Sequence, residues 1–191
     1  DSELNSRFIR GEMPLDVVKD LRRYLESVRC PIAVRSSSML EDSQNQPFAG
    51  IYSTFMLPNN EPEPETRLNQ LLSAIKLVYS SAFYSSARAY VRGTVHTSEE
   101  EKMAIVIQKM VGNSYGRRFY PVFSGVAQSY NFYPVSPLTR EDGIVSLAFG
   151  LGKTVVEGGK VLAFSPKNPE IRPGFSTPKE IMKNSQDHFY C

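Results

Sequence analysis

The residues of this chain best suited to chemistry lie between Val34 and Phe55, where the sequence reads VRSSSMLEDSQNQPFAGIYSTF. Arg35 stands at the end of a short apolar run and is followed by serines. A guanidinium so placed can grip phosphate oxygens through two parallel N–H donors, which a lysine cannot do. Gly50 lets backbone N–H groups approach a ligand closely, and Thr54 can bring a hydroxyl to the same phosphates from the strand that follows. Each residue also has a plainer reading. Arg35 could pair with Glu41 or Asp42 at the surface, and Gly50 could be an ordinary turn or bulge glycine. Farther on, Gln108-Lys109-Met110-Val111 closes a second apolar run. Backbone groups after such a strand can hydrogen-bond an adenine edge while the methionine packs on the ring; an ordinary strand end is the alternative.

These residues need elements to hold them. Leu15, Val18, Leu21, Leu25 and Val28 recur at helical spacing after Pro14, which predicts a helix that ends before Pro31. Pro31–Arg35 reads as a short buried strand, Ser36–Phe48 as a loop and Ile51–Leu57 as a second strand. The prolines and glutamates of 61–65 open a long helix whose apolar face is Leu68, Leu71, Leu72, Ile75, Val78, Ala82 and Phe83. Met103–Ile107 is a β-favouring run of the kind buried on both faces. Phe119–Phe123, Val126–Phe132, Gly143–Phe149 and Lys160–Phe164 are further strand candidates. The first half is helix-rich and the second strand-rich, so the expected division is a first lobe over 1–111 and a second over 112–191.

Composition excludes several functions. The 191 residues are 41% hydrophobic and 22% charged, ordinary globular values, and the net charge of +2 is too small to argue for nucleic acid or an anionic membrane. Tyr115–Tyr120 mixes aromatic and basic residues as nucleic-acid platforms do, but one such stretch in a nearly neutral chain does not make one. No apolar run approaches the roughly 18 residues that cross a bilayer. Cys30 and Cys191 have no metal-like spacing, and His96 and His188 are the only histidines, too few for a histidine-based metal site. A reducing, cytoplasmic setting without nucleic-acid or membrane partners is expected.

Gly150-Leu151-Gly152-Lys153-Thr154 ends as a P-loop does. The P-loop pattern, however, needs its first glycine where Leu147 stands, inside a strand, so the phosphate cradle would lack its first turn. A structural glycine turn is the reading that remains.

In combination these segments resemble the N-terminal ATP-binding (PEP/pyruvate-binding) domain of the phosphoenolpyruvate synthase and pyruvate phosphate dikinase family, an ATP-grasp variant. Val34-Arg35-Ser36-Ser37, Glu41-Asp42, Phe48-Ala49-Gly50 and Thr54-Phe55 stand at near-identical spacing to that family's signature. Ile107–Val111, Ser124–Ser129 and Gly150–Gly158 are similar to its later motifs, in the same order.

The resemblance implies an α+β, ATP-grasp-like fold, with mixed and antiparallel sheets, flanking helices and two lobes around a nucleotide cleft, incomplete at both ends. It implies that Arg35 contacts the ATP phosphates, that Gly50 and Thr54 belong to the loop and strand over the nucleotide, and that Gln108 lines the adenine pocket. Enzymes of this kind pass the β-phosphate of ATP through a histidine on a separate phosphohistidine domain to pyruvate or another acceptor. The chain is accordingly expected to be a fragment, inactive alone, of a longer polypeptide that also holds a pyruvate-binding domain. The family's nucleotide-binding lysine, the acidic ligands of Mg²⁺ and the catalytic histidine are expected outside these residues, so no catalytic or metal-binding residue is assigned within them. Two departures mark a divergent branch: Lys153 replaces a glutamate, and Gln128-Ser129-Tyr130 replaces Phe-Thr-Arg. They leave a second possibility, a catalytically degenerate nucleotide-binding or regulatory domain.

Overall fold

A computed structural model describes residues 1–38, 52–92, 103–156 and 158–191. The chain divides into two compact units, Asp1–Met110 and Val111–Cys191.

In the first unit, α1 (Ser2–Arg10) and α2 (Leu15–Ser27) precede β1 (Ile32–Ser38) and β2 (Thr54–Leu57). Then come α3 (Pro64–Ser81), α4 (Ser85–Arg92) and β3 (Met103–Lys109). The strands form an antiparallel sheet in the order β2-β1-β3. β1 alternates strictly: Ile32, Val34, Ser36 and Ser38 are buried, while Ala33, Arg35 and Ser37 point the other way. This period of two carries the strand past Arg35, through serines whose composition suggests a loop. One sheet face therefore meets α2 and α3 in a single core of Leu25, Val28, Ile32, Val34, Leu68, Leu71, Ala74, Ile75 and Val78. Leu71 and Val78 are fully enclosed, and burying each such side chain contributes about 2–3 kcal/mol.

Met103, Ile105 and Ile107 of β3 pack on that core, but Ala104 and Gln108 are exposed. The strand is thus buried mainly on one face rather than both, with Val106 half-buried on the other. The long helix stops at Ser81, and Phe83 lies beyond it, largely exposed against Phe8 of α1 at a ring separation of 5.6 Å. α1 runs between Asp1 and Gly11 at its two caps; Asn5 fastens it to the end of α3 by accepting from Ser80 Oγ (2.6 Å) and Tyr84 OH (2.8 Å).

A buried arginine ties the first unit together. Arg67 on α3 is 2% exposed. It donates from Nη1 to the carbonyls of Leu25 (3.1 Å) and Val28 (3.3 Å) and to Asn59 Oδ1 (3.2 Å). Asn59, at φ 53°, donates in turn to the carbonyls of Val28 and Cys30. The guanidinium thereby occupies the negative end of the α2 dipole and satisfies carbonyls that the helix leaves open. Burial, with Arg29 adding to it, pushes the Arg67 pKa below its ordinary value.

The second unit begins with a hairpin, β4 (Asn113–Tyr115) and β5 (Arg118–Tyr120). A second antiparallel sheet follows in the order β6-β7-β8, from β6 (Phe123–Gln128), β7 (Ile144–Phe149) and β8 (Leu162–Phe164). α5 (Lys153–Val156) lies between β7 and β8, and α6 (Pro178–Asn184) comes after β8. The predicted Phe119–Phe123 strand is instead split by Pro121, which has no N–H to give a ladder. The predicted Val126–Phe132 strand starts earlier and stops at Gln128. Thr177 and Glu180 cap α6 reciprocally, a Thr-x-x-Glu box legible in the sequence. Asp142 is buried where β7 begins: Thr139 N–H donates to its Oδ2 and Lys167 Nζ to its Oδ1, both at 2.7 Å.

Candidate functional site

Opposite residues in an antiparallel ladder project from the same face, so the register of the first sheet decides what its open face carries. Arg35 stands opposite Thr54 on β2 and Val106 on β3. One row away, Ala33 stands between Met56 and Gln108. In the row beyond Arg35, Ser37 faces Ala104. The sheet thus brings together three of the four residues singled out from sequence, Arg35, Thr54 and Gln108, on the side away from the α2–α3 core.

The fold produces this grouping through the hydrophobic demand of the other face. Ile32 and Val34 must enter the core, and the alternation then turns Arg35 outward; a slip of one residue would bury the guanidinium. Thr54 and Met56 are exposed on β2, whereas Phe55 and Leu57 pack on the core. Among the described residues Arg35 has no ion-pair partner. Gly50, Glu41 and Asp42 lie outside the described residues.

Ser37, a motif residue given no role of its own, and Met56, which no motif marks, share this face. The signal for both is period-two counting from Arg35 and Thr54. Small Ala33 stands between Met56 and Gln108, and the next row carries Arg35 and Thr54. No group of three or more His, Cys, Asp or Glu side chains among the described residues is placed to hold a metal ion. The paired positions of the open face, Ala33, Arg35, Ser37, Thr54, Met56, Ala104, Val106 and Gln108, include no carboxylate to offer a magnesium ion.

In the second unit, Gly150 takes φ 82°, and the chain turns through Leu151 and Gly152 into the four residues of α5. Ser124 Oγ donates to the Gly150 carbonyl at 2.7 Å, fixing the turn to β6. Lys153 Nζ lies 4.7 Å from the centre of the Tyr190 ring.

The family described as pyruvate phosphate dikinase, AMP/ATP-binding domain, matches residues 1–181. The chain belongs to that family. An uncharacterized phosphotransferase of Bacillus subtilis, YvkC, is 30% identical over 149 residues, 77% of this chain and 15% of the relative. A phosphoenolpyruvate synthase of Aeropyrum pernix is 28% identical over 167 residues, 83% of this chain and 18% of the relative. The chain therefore spans less than a fifth of the length of these relatives. As a member of the pyruvate phosphate dikinase AMP/ATP-binding family it is mixed α and β, with small antiparallel sheets and helices. No helix among the described residues is long and apolar enough to cross a membrane.

Proposed function

We propose that this chain is the ATP-binding portion of a phosphoenolpyruvate synthase-like phosphotransferase, and that the open face of β2-β1-β3 is its nucleotide surface. The observation that carries the reading is the placement of Arg35, Thr54 and Gln108 on one face by the strand register. Arg35 holds the phosphates, Thr54 adds a hydroxyl beside it, and Gln108 with the backbone after it borders the adenine. Gly50 belongs to the loop over the phosphates. The chain is read as two lobes, over 1–111 and 112–191, of an ATP-grasp-like fold.

In the full polypeptide the phosphoryl group passes to a histidine on a phosphohistidine domain and then to pyruvate or another acceptor, in the cytoplasm, without nucleic-acid or membrane partners. Magnesium would be held by residues other than those described here. The contribution of this chain is positioning and charge neutralisation, which supply most of the catalysis in phosphoryl transfer.

The test is calorimetric titration of the full-length protein with Mg-ATP. A charge-assisted hydrogen bond contributes about 1.5–3 kcal/mol, so Arg35→Ala should weaken binding by roughly 10- to 100-fold. Unchanged affinity would remove Arg35 from the site. A second reading, a degenerate domain that keeps nucleotide binding for regulation, is favoured by Lys153 standing where the family carries a glutamate. Phosphoryl transfer by the full-length protein would exclude it.

A further inference from the structure

α3 ends on two consecutive serines, Ser80 and Ser81, and both are fully enclosed. Ser80 reaches Asn5 of α1. Ser81 serves the sheet instead. Its hydroxyl donates to the Val78 carbonyl at 2.6 Å, one turn back in the helix. That bond uses its only proton and leaves the oxygen free to accept. It accepts from the Ser53 N–H at 3.0 Å, a residue 28 positions earlier. Ser53 immediately precedes Thr54, where β2 begins. The Arg35–Thr54 pair is the last of the β1–β2 ladder, and β2 is an edge strand of four residues. The end of so short an edge strand frays unless something outside the sheet holds it. Both ends are held. Past Leu57, Asn59 is tied to the Val28 and Cys30 carbonyls and to Arg67. Before Thr54 the tie is Ser81, and buried Tyr52 packs beside it with Ala82, Ala87 of α4 and Met103.

We propose that Ser81 is a positioning residue for phosphate binding: by holding the Ser53 N–H it fixes the first residue of β2 and sets the Thr54 hydroxyl beside Arg35. The proposal rests on the reading of this open face as the nucleotide surface. Ser81 is itself enclosed in the first unit and acts on a ligand only through β2. Loss of the tie frees the end pair of the ladder, Arg35 with Thr54, and leaves the pairs of Val34 with Phe55, Ala33 with Met56 and Ile32 with Leu57 in place. Phe55 and Leu57 still pack on the core, so the fold survives while the hydroxyl loses its fixed position. The central strand β1 is paired on both sides and does not share in the fraying.

Mg-ATP titration of the full-length polypeptide tests it, together with hydrogen exchange followed by mass spectrometry. In Ser81→Ala, peptides that contain Ser53 and Thr54 should exchange roughly tenfold faster, while peptides from β1 keep their parental rates. Affinity for Mg-ATP should fall a few-fold, about as far as in Thr54→Val. The double variant should bind no more weakly than Thr54→Val alone, because the hydroxyl that Ser81 positions is already gone. A purely structural role would lower the denaturation midpoint and leave affinity at the parental value. Ser81→Cys, which nearly keeps the shape and leaves only a weak acceptor, should show the same pattern to a lesser degree, and it carries the test if the alanine variant does not fold. The proposal fails if exchange at Ser53 and Thr54 is unchanged, or if Thr54→Val weakens binding and Ser81→Ala does not. It fails equally if the two losses multiply in the double variant. Parental affinity in both Arg35→Ala and Thr54→Val would instead overturn the nucleotide reading itself, and this proposal with it.

Discussion

Arg35 on β1 and Thr54 on β2 are direct cross-strand neighbours, on the open face of a sheet whose other face is the core. Opposite residues in an antiparallel pair have Cα atoms about 4.5–5.5 Å apart, close enough for a guanidinium and a hydroxyl to act on one phosphate group. The pairing fixes a relationship that lies nineteen positions apart in the sequence.

The first prediction concerns that pair. Thr54→Val keeps the β-branched shape that suits a strand and removes only the hydroxyl. It should leave the denaturation midpoint unchanged and weaken Mg-ATP binding by a few-fold. In a double-mutant cycle with Arg35→Ala, residues acting on the same phosphates should show a coupling of at least about 0.5 kcal/mol. Strictly additive effects would mean that the two do not share a ligand.

The second concerns Arg67. Replacing it with methionine keeps bulk on α3 but strips the partner from Asn59 Oδ1 and from the Leu25 carbonyl, while the Val28 carbonyl keeps its bond from Asn59. Orphaned buried acceptors cost about 1–3 kcal/mol each before relaxation, so a loss of roughly 2–4 kcal/mol is expected. Urea denaturation should show a lower midpoint with an unchanged slope. A midpoint equal to the parent's would show that the network is dispensable.

These two sites differ in how far the sequence discloses them. Arg35, Thr54 and Gln108 belong to motifs, and the apolar residues around them keep strand and helix periods, so their elements and their shared face can be derived. Arg67 cannot, because charged residues are solvated by default and nothing local marks this one for burial. Its three acceptors come from 8 to 42 positions away. Ser36 and Ser38 mislead for the opposite reason. Serine composition suggests a loop, yet both are buried members of β1, held there by pairing with β3 rather than by their own propensity. α1 has too few apolar positions to give a period, and its place depends on Asn5 reaching Ser80 and Tyr84.

The third prediction is a pH dependence. The Lys167 hydrogen bond first, and then the Thr139 backbone N–H, hold the Asp142 carboxyl below the usual carboxylate range. A folded-state pKa below the unfolded one gives stability that is complete above the unfolded value of about 4 and is lost as pH falls through the folded value. The same contact raises Lys167, whose contribution is complete below its unfolded value of about 10 and is lost as pH rises through the folded one. Asp142→Asn keeps an acceptor for Thr139 and removes the charge. It should lower the denaturation midpoint at neutral pH, with a gap to the parent that narrows as pH falls from about 5 toward 2. A gap that is constant with pH would show that the charge is not what matters.

The fourth separates backbone conformation from contact by comparing two glycines. Gly116, at φ 62° in the β4–β5 turn, has open space where an alanine would carry its methyl, with nothing within 4 Å. Gly150, at φ 82°, would place that carbon 2.6 Å from the Tyr190 carbonyl oxygen and 2.8 Å from the Phe189 ring. Both changes to alanine carry the left-handed strain of about 1–2 kcal/mol. Only Gly150→Ala must also push the 186–190 segment aside, breaking the Leu151 to Tyr190 hydrogen bond and the Phe149–Phe189 contact. Gly116→Ala should therefore cost about 1–2 kcal/mol without altering amide exchange at Leu151. Gly150→Ala should cost more and expose that amide. Equal costs for the two variants would mean that the segment yields freely, and that its contacts with the turn contribute nothing to the fold.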